Sequence, residues 1–326
     1  MTYFDLINSD LLALIVAKLE YSQFNSFNRL FDIEGLNYPY IISLKYDKFL
    51  LREIIRVFIS VGVKEYGVVL CSLKIKEKLK LYQLGLADVY YTDTISIVDR
   101  IEEIPKEIGY LSNLRKLNLA NNYIKEIPKE IGRLIGLKII SLHNNQIKEI
   151  PKEMGRLVNL EKLSLYYNQI EDIPKEFCGL YNLKKLFLYC NQIKDIPEEV
   201  SNLINLRKLK LGYNRIEKIP VGVCKLVKLE TLSFKDNKIR EIPKEICNLI
   251  NLEMLDLSGN KIEKIPLEIS SLINLKVLDL HKNQIMVLPG EMSNLTNLRV
   301  LDFHENKIER IPEGIIMLTT LVFINS

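Results

Sequence analysis

The chain has no tryptophan, only three histidines and only five cysteines among 326 residues. It also lacks the short signatures of common catalytic sites. There is no phosphate-cradling glycine motif, no His-Glu-x-x-His and no Gly-x-Ser-x-Gly, so no motif supplies a phosphate clamp, a metal-bound water or an activated serine. No enzyme activity and no cofactor are therefore expected. No apolar run reaches the ~18 residues of a membrane span; the longest candidate, 49–63, is broken by Arg52, Glu53 and Arg56. Asp5 and Asp10 stand where a secretory leader would be basic, which argues against such a leader. The net charge is +4 without a basic stripe, so neither nucleic acid nor a membrane is an expected partner.

What the sequence does contain is a period. Asn122, Asn145, Asn168, Asn191, Asn214, Asn237, Asn260, Asn283 and Asn306 recur every 23 residues inside the frame L-x-x-L-x-L-x-x-N-x-I-x-x-I-P. The first copy reads Leu114, Leu117, Leu119, Asn122, Ile124, Ile127, Pro128, and the ninth Leu298, Leu301, Phe303, Asn306, Ile308, Ile311, Pro312. Departures are apolar swaps such as Ile140, Phe234 and Leu288. A strict short period means one unit copied and stacked, each copy completing its neighbour's core.

The spacing has a physical reading. Leu117 and Leu119 are two apart and point to one face of a short strand. Leu114, Ile124 and Ile127 follow the chain as it bends inward. Each turn leaves backbone groups outside the sheet, and a buried unpaired one costs about 1–3 kcal/mol. Asparagine carries both donor and acceptor, so its column is structural and has no catalytic role. Pro128 and its equivalents suit the start of a helical or 3₁₀ segment, with Glu130 and its equivalents favourable near that start and Ile131 and Leu134 turned inward.

This frame resembles the leucine-rich repeat family, in the 23-residue form found in intracellular Ras-suppressor-like and bacterial members, over roughly residues 99–326. The resemblance implies an α/β solenoid, a right-handed horseshoe with a parallel sheet on its concave face. It also implies a protein-binding role. The domain reading is an entry coil at 91–113 with Asp99, Ile101, Ile104 and Pro105 in the frame, nine repeats at 114–320, and a truncated last coil at 321–326. That coil's edge is expected to be shielded by residues 318–324 or by another subunit. Cys178, Cys224 and Cys247 share a position otherwise small (Gly132, Gly155, Ser201), which reads as a tight spot. A bridge between Cys224 and Cys247 is conceivable. Extracellular family members carry paired-cysteine caps; this chain shows none, so an intracellular, cytoplasmic setting is expected.

Residues 1–90 lack the period and read as a small all-α domain. Ser9 or Asp10 caps a helix through Leu11, Leu12, Leu14, Ile15 and Leu19, and Phe24, Phe27, Leu30 and Phe31 suit a second. Residues 4–40 resemble the start of an F-box, which implies docking on a Skp-type adaptor of a cullin ubiquitin ligase through Leu6, Leu11, Leu12, Ile15 and Leu19. Ile7 or Asn8 stands in place of that family's proline, and the late aromatic anchor is missing. The plainer alternative is an amphipathic capping helix, which would leave an intracellular signalling or scaffold protein.

The outward positions of the strands form columns. Lys162, Lys185, Lys208 and Lys210 cluster, beside Tyr166, Tyr167, Phe187, Tyr189 and Tyr213. Cations next to exposed aromatics suit anchoring of a protein partner, although tyrosines also simply stack on sheet surfaces. Asp256, Asp279 and Asp302 form a column of like charges that needs Lys235 and Lys282, a basic partner segment or a cation to offset it. His143, His281 and His304 share one repeat position. Two His and two Asp are metal-ligand types, but side chains standing outward from a flat sheet rarely converge, so no metal is expected.

Overall fold

A computed structural model describes residues 92–325. The helical domain expected at 1–90, with its adaptor-docking residues, lies outside the described residues. Residues from Thr92 onward form one compact unit.

Eleven three-residue strands follow one another in chain order: β1 (Thr94–Ser96), β2 (Lys116–Asn118), β3 (Ile139–Ser141), β4 (Lys162–Ser164), β5 (Lys185–Phe187), β6 (Lys208–Lys210), β7 (Thr231–Ser233), β8 (Met254–Asp256), β9 (Val277–Asp279), β10 (Val300–Asp302) and β11 (Phe323–Asn325). They make a single parallel sheet in which each strand pairs only with its sequence neighbours. The register matches the period: Leu163 faces Leu186, which faces Leu209. The middle residue of β2–β10 is leucine or isoleucine and is buried, so each of these nine strands contributes one side chain to the core and two to the open face. β1 precedes the first full repeat and β11 follows the ninth, each adding a strand to the stack.

The return path of each coil is a 3₁₀ turn, as at Lys129–Arg133 and Lys152–Arg156. Pro128 precedes the first of these in extended conformation, φ −66° and ψ 141°. The turn closes through Ile131 N–H to Pro128 O at 3.0 Å and Leu134 N–H to Ile131 O at 3.0 Å. Among the described residues, only the last coil has an α-helical turn, Glu313–Ile316. The core is a ladder of Leu and Ile, each worth about 1.5–3 kcal/mol when fully buried. Leu114, Leu117, Leu119, Ile124, Ile131 and Leu134 are all at 0 % exposure.

The asparagine column ties the coils together. Asn191 Nδ2 donates to Leu165 O and Leu188 O, each at 3.0 Å, and its Oδ1 accepts from Ile170 N–H at 3.0 Å. One side chain therefore serves its own coil and the preceding one. A second, exposed asparagine row does related work: Asn182 Nδ2 donates to Val158 O, and Asn205 Nδ2 to Tyr181 O, both at 2.8 Å. The small-residue position is tight, since a Cβ on Gly132 would meet Glu153 O at 2.4 Å. Cys178, Cys190, Cys224 and Cys247 are free thiols, so the conceivable Cys224–Cys247 bridge is not formed. Among the described residues, no helix is long and apolar enough to cross a membrane.

Candidate functional surface

The geometry of the strands decides what the open face shows. With the central leucine buried, the first and third residues of each strand and the residue two beyond it stand on the opposite side of the sheet. Lys162, Lys185 and Lys208 are direct cross-strand neighbours, as are Ser164, Phe187 and Lys210. The four lysines have no ion pair among the described residues. One position earlier the cations are satisfied: Lys184 pairs with Glu161 and Arg207 with Glu230, both at 2.7 Å. The open face thus holds a row of like charges that no ion pair among the described residues neutralises, although neighbouring like charges repel. Phe187 is half-buried, with Lys162 Nζ 5.9 Å from its ring centre, within cation–π range.

Beside the lysines lies an aromatic stack. His143 lies on Tyr166 with ring centres 4.3 Å apart and planes at 6°. Tyr166 lies on Tyr189 at 4.3 Å and 9°. Tyr167 meets both tyrosines edge-on, at 5.9 and 5.8 Å. Burial, then the neighbouring Tyr166, pushes the Tyr189 phenol up to about 12, so it is a neutral hydrogen-bonding group. Desolvation and the nearby Lys162 charge hold His143 below the usual histidine range. Stacking accounts for Tyr166 and Tyr189, which cover each other. Tyr167 and Tyr213 are different: they are 55 % and 50 % exposed and leave ring surface open to solvent. Lys235 Nζ lies 5.9 Å from the Tyr213 ring centre.

Backbone geometry explains that exposure. Tyr167 and Tyr213 have φ of 54° and 55°, and Asn121, Asn144, Cys190, Asp236, Gly259, Lys282 and Glu305 share the left-handed conformation at the same repeat position. This turn lifts the side chain away from the sheet. Asn121, Asn144 and Gly259 are the residue types that tolerate it best, and they are the sequence signal for the turn.

The acidic column is offset in part as expected, since the Asp256 charge acts on Lys235, and in part by hydrogen bonds. Asp256 is buried, and its carboxylate accepts from Ser233 Oγ at 3.0 Å and Ser258 Oγ at 2.7 Å. It offers little to a partner. Asp279 and Asp302 are each engaged by the histidine two residues on, His281 Nδ1 at 2.7 Å and His304 Nδ1 at 2.5 Å. Hydroxyls and imidazoles of the same or adjacent strand therefore share this role with Lys235. The Asp302 hydrogen bond pulls His304 above the usual histidine range. His281, Asp302 and His304 place ligand-type atoms within 4.8 Å of one another, so the flat sheet does not keep these side chains apart.

One surface feature lies outside the columns read from the sequence. Ile135, Val158, Tyr181, Ile204, Val227, Ile250 and Ile273, one per coil, are all exposed. They form an apolar row along the return side. The same 23-residue step marks them in the sequence, between core positions of the frame.

The stacked coils, the buried leucine frame and the asparagine ladder define a leucine-rich repeat solenoid. The comparisons with known proteins agree. Sequence descriptions of the leucine-rich repeat match residues 113–134, the leucine-rich repeat region 129–213, the leucine-rich repeat again 204–262, and the two-copy form 250–290 and 273–316. The chain belongs to the leucine-rich repeat family. Among solved structures it is similar to the leucine-rich repeat protein LIC12759 of Leptospira interrogans, at 39 % identity and a TM-score of 0.66 over 69 % of this chain. It is also similar to a TDR receptor, at 28 % identity and a TM-score of 0.64 over 74 %. A third likeness is to the repeat ectodomain of the Arabidopsis receptor kinase HAESA bound to an extended IDA peptide hormone, at 28 % identity and a TM-score of 0.63 over 69 %. This chain spans 58 %, 48 % and 40 % of the lengths of those three. Among curated proteins, none matches the chain.

Proposed function

We propose that the open face from β4 to β7 captures a protein segment carrying carboxylates, which seats among Lys162, Lys185, Lys208 and Lys210 and packs on Phe187, Tyr167 and Tyr213. The observation that carries this reading is the row of lysines without ion pairs among the described residues, next to exposed aromatic rings. Cations held side by side are worth most to a ligand that neutralises them, and tyrosine supplies contact area at low entropy cost. The hormone peptide on the HAESA ectodomain is a precedent for a peptide ligand on this fold. The test is selection of a displayed random-peptide library on the full chain. The expected result is enrichment of acidic sequences, abolished by Lys185→Glu with Lys208→Glu and weakened by Phe187→Ala with Tyr189→Ala. Enrichment indifferent to charge, or unchanged by the lysine reversals, would remove the proposal.

On the F-box resemblance of residues 4–40, the N-terminal segment recruits a Skp-type adaptor and the chain is the substrate receptor of a cullin-type ligase. The four free thiols support the intracellular setting this requires. Mixing purified adaptor with the native chain and with a Leu11→Asp/Leu12→Asp variant decides it. A complex with the native chain alone supports the role. Absence of a complex with both leaves the scaffold reading, in which residues 1–90 only cap the solenoid.

A further inference from the structure

We propose that His281, His304 and Asp302 bind a divalent transition-metal ion of the zinc class on the open face, beside β9 and β10. This lies several coils from the lysine row and is independent of it. The register sets the site: Asp279 is the cross-strand partner of Asp302, and each is followed two residues later by a histidine. Each aspartate Oδ1 accepts from its histidine's backbone N–H, at 3.2 and 3.3 Å, and engages the same ring's Nδ1. The two imidazoles are consequently held parallel, ring centres 4.8 Å apart and planes at 5°. In metal-ligating histidines a carboxylate on the other ring nitrogen fixes tautomer and ring direction; Asp279 holds His281 in this way, whereas Asp302 would exchange its contact with His304 Nδ1 for the ion.

The donor set selects the ion. Two imidazole nitrogens with a carboxylate oxygen suit zinc, nickel or copper, whereas calcium and magnesium demand oxygen alone. The ligand-type atoms of the three residues already lie within 4.8 Å of one another. Bond lengths of about 2.0–2.2 Å require them to close by roughly an ångström. All three side chains stand on the open face and are only partly buried, so side-chain torsions achieve this without moving the leucine core. Glu305 Oε1, 3.7 Å from His304 Nε2, stands ready as a further oxygen ligand, and Lys282 is the cation on the adjoining turn. A bound dication would also offset the charge of two aspartates facing each other in register.

The experiment is calorimetric titration of the tag-free full chain with zinc sulfate, alongside cobalt(II) absorption. Expected are one equivalent bound, a visible cobalt d–d band without a near-ultraviolet thiolate band, and at least a tenfold loss of affinity in His281→Asn/His304→Asn. His304→Gln alone should show the same loss, which covers failure of the double variant to fold. No binding, binding unchanged in these variants, or a cobalt–thiolate band pointing to the cysteines would each overturn the proposal.

Discussion

Tyr166 and Tyr189, one repeat apart in sequence, lie face to face with ring centres 4.3 Å apart and planes 9° from parallel. Such a pair is worth about 0.5–1.5 kcal/mol beyond its buried area. A double-mutant cycle on Tyr166→Ala and Tyr189→Ala, read by urea unfolding, should return a coupling of that size. Phe187→Ala with Tyr189→Ala should lower the melting temperature by only a few degrees, because these rings lie on the face opposite the leucine core. A loss of cooperative unfolding would instead mean that the stack is part of the core.

Asn191 is expected to behave in the opposite way. Asn191→Ala leaves the Ile170 N–H without its partner and removes one of two amide donors from the Leu165 and Leu188 carbonyls, which keep Asn168 and Asn214. Each buried unsatisfied group costs about 1–3 kcal/mol, and the loss falls on two coils at once. Chemical denaturation should show Asn191→Ala to be more damaging than the aromatic pair. Equal or smaller damage would mean that water replaces the amide.

These two cases mark what the sequence makes legible. The leucine–asparagine frame depends only on which residues recur at which step, so the strands, the parallel register, the 3₁₀ turns and the placing of the lysine and tyrosine columns on one face can be read from spacing alone. The interactions inside a column cannot. Asp256, Asp279 and Asp302 look alike in sequence, yet Asp256 is covered by two serine hydroxyls while the others hold histidines. That difference lies in the residue two positions on, Ser258 against His281 and His304, and in Ser233 on the neighbouring strand, none of which the repeat frame specifies. The left-handed turn that exposes Tyr167 and Tyr213 is similarly hidden, since its usual markers, Asn and Gly, appear in other coils.

Gly155 tests coil spacing. A Cβ there would lie 2.0 Å from Glu176 O, a backbone atom of the next coil that cannot swing aside. Gly155→Ala should cost about 1–3 kcal/mol through overpacking. Gly290 is the control: nothing lies within 4 Å of its added Cβ, so Gly290→Ala should be neutral or stabilise by about 0.4–1 kcal/mol through the unfolded chain. Thermal melts of the two variants should therefore move apart. Parallel shifts would mean that the coils slide freely along the stack.

The histidines should titrate in opposite directions from the ordinary value of 6.5. His304, hydrogen-bonded by Asp302, has a raised folded value. It favours the folded protein fully below the ordinary value, and that contribution disappears as pH rises through the raised one. His143, partly buried against Tyr166 and near Lys162, has a lowered folded value. Its contribution is present above the ordinary value and is lost as pH falls through the lowered one. The two windows lie on opposite sides of the ordinary value, so both contributions are full only near it; a global stability curve does not assign either limb to one histidine, and site-resolved titration is required. The chain has only three histidines, and NMR of the imidazole protons in chelator, assigned with His→Gln variants, resolves them singly. The His143 midpoint should fall below that of His304, and Asp302→Asn should lower the His304 midpoint while leaving His143 in place. Coincident midpoints, or a His304 midpoint indifferent to Asp302→Asn, would show that the carboxylate–imidazole pairs do not persist in solution.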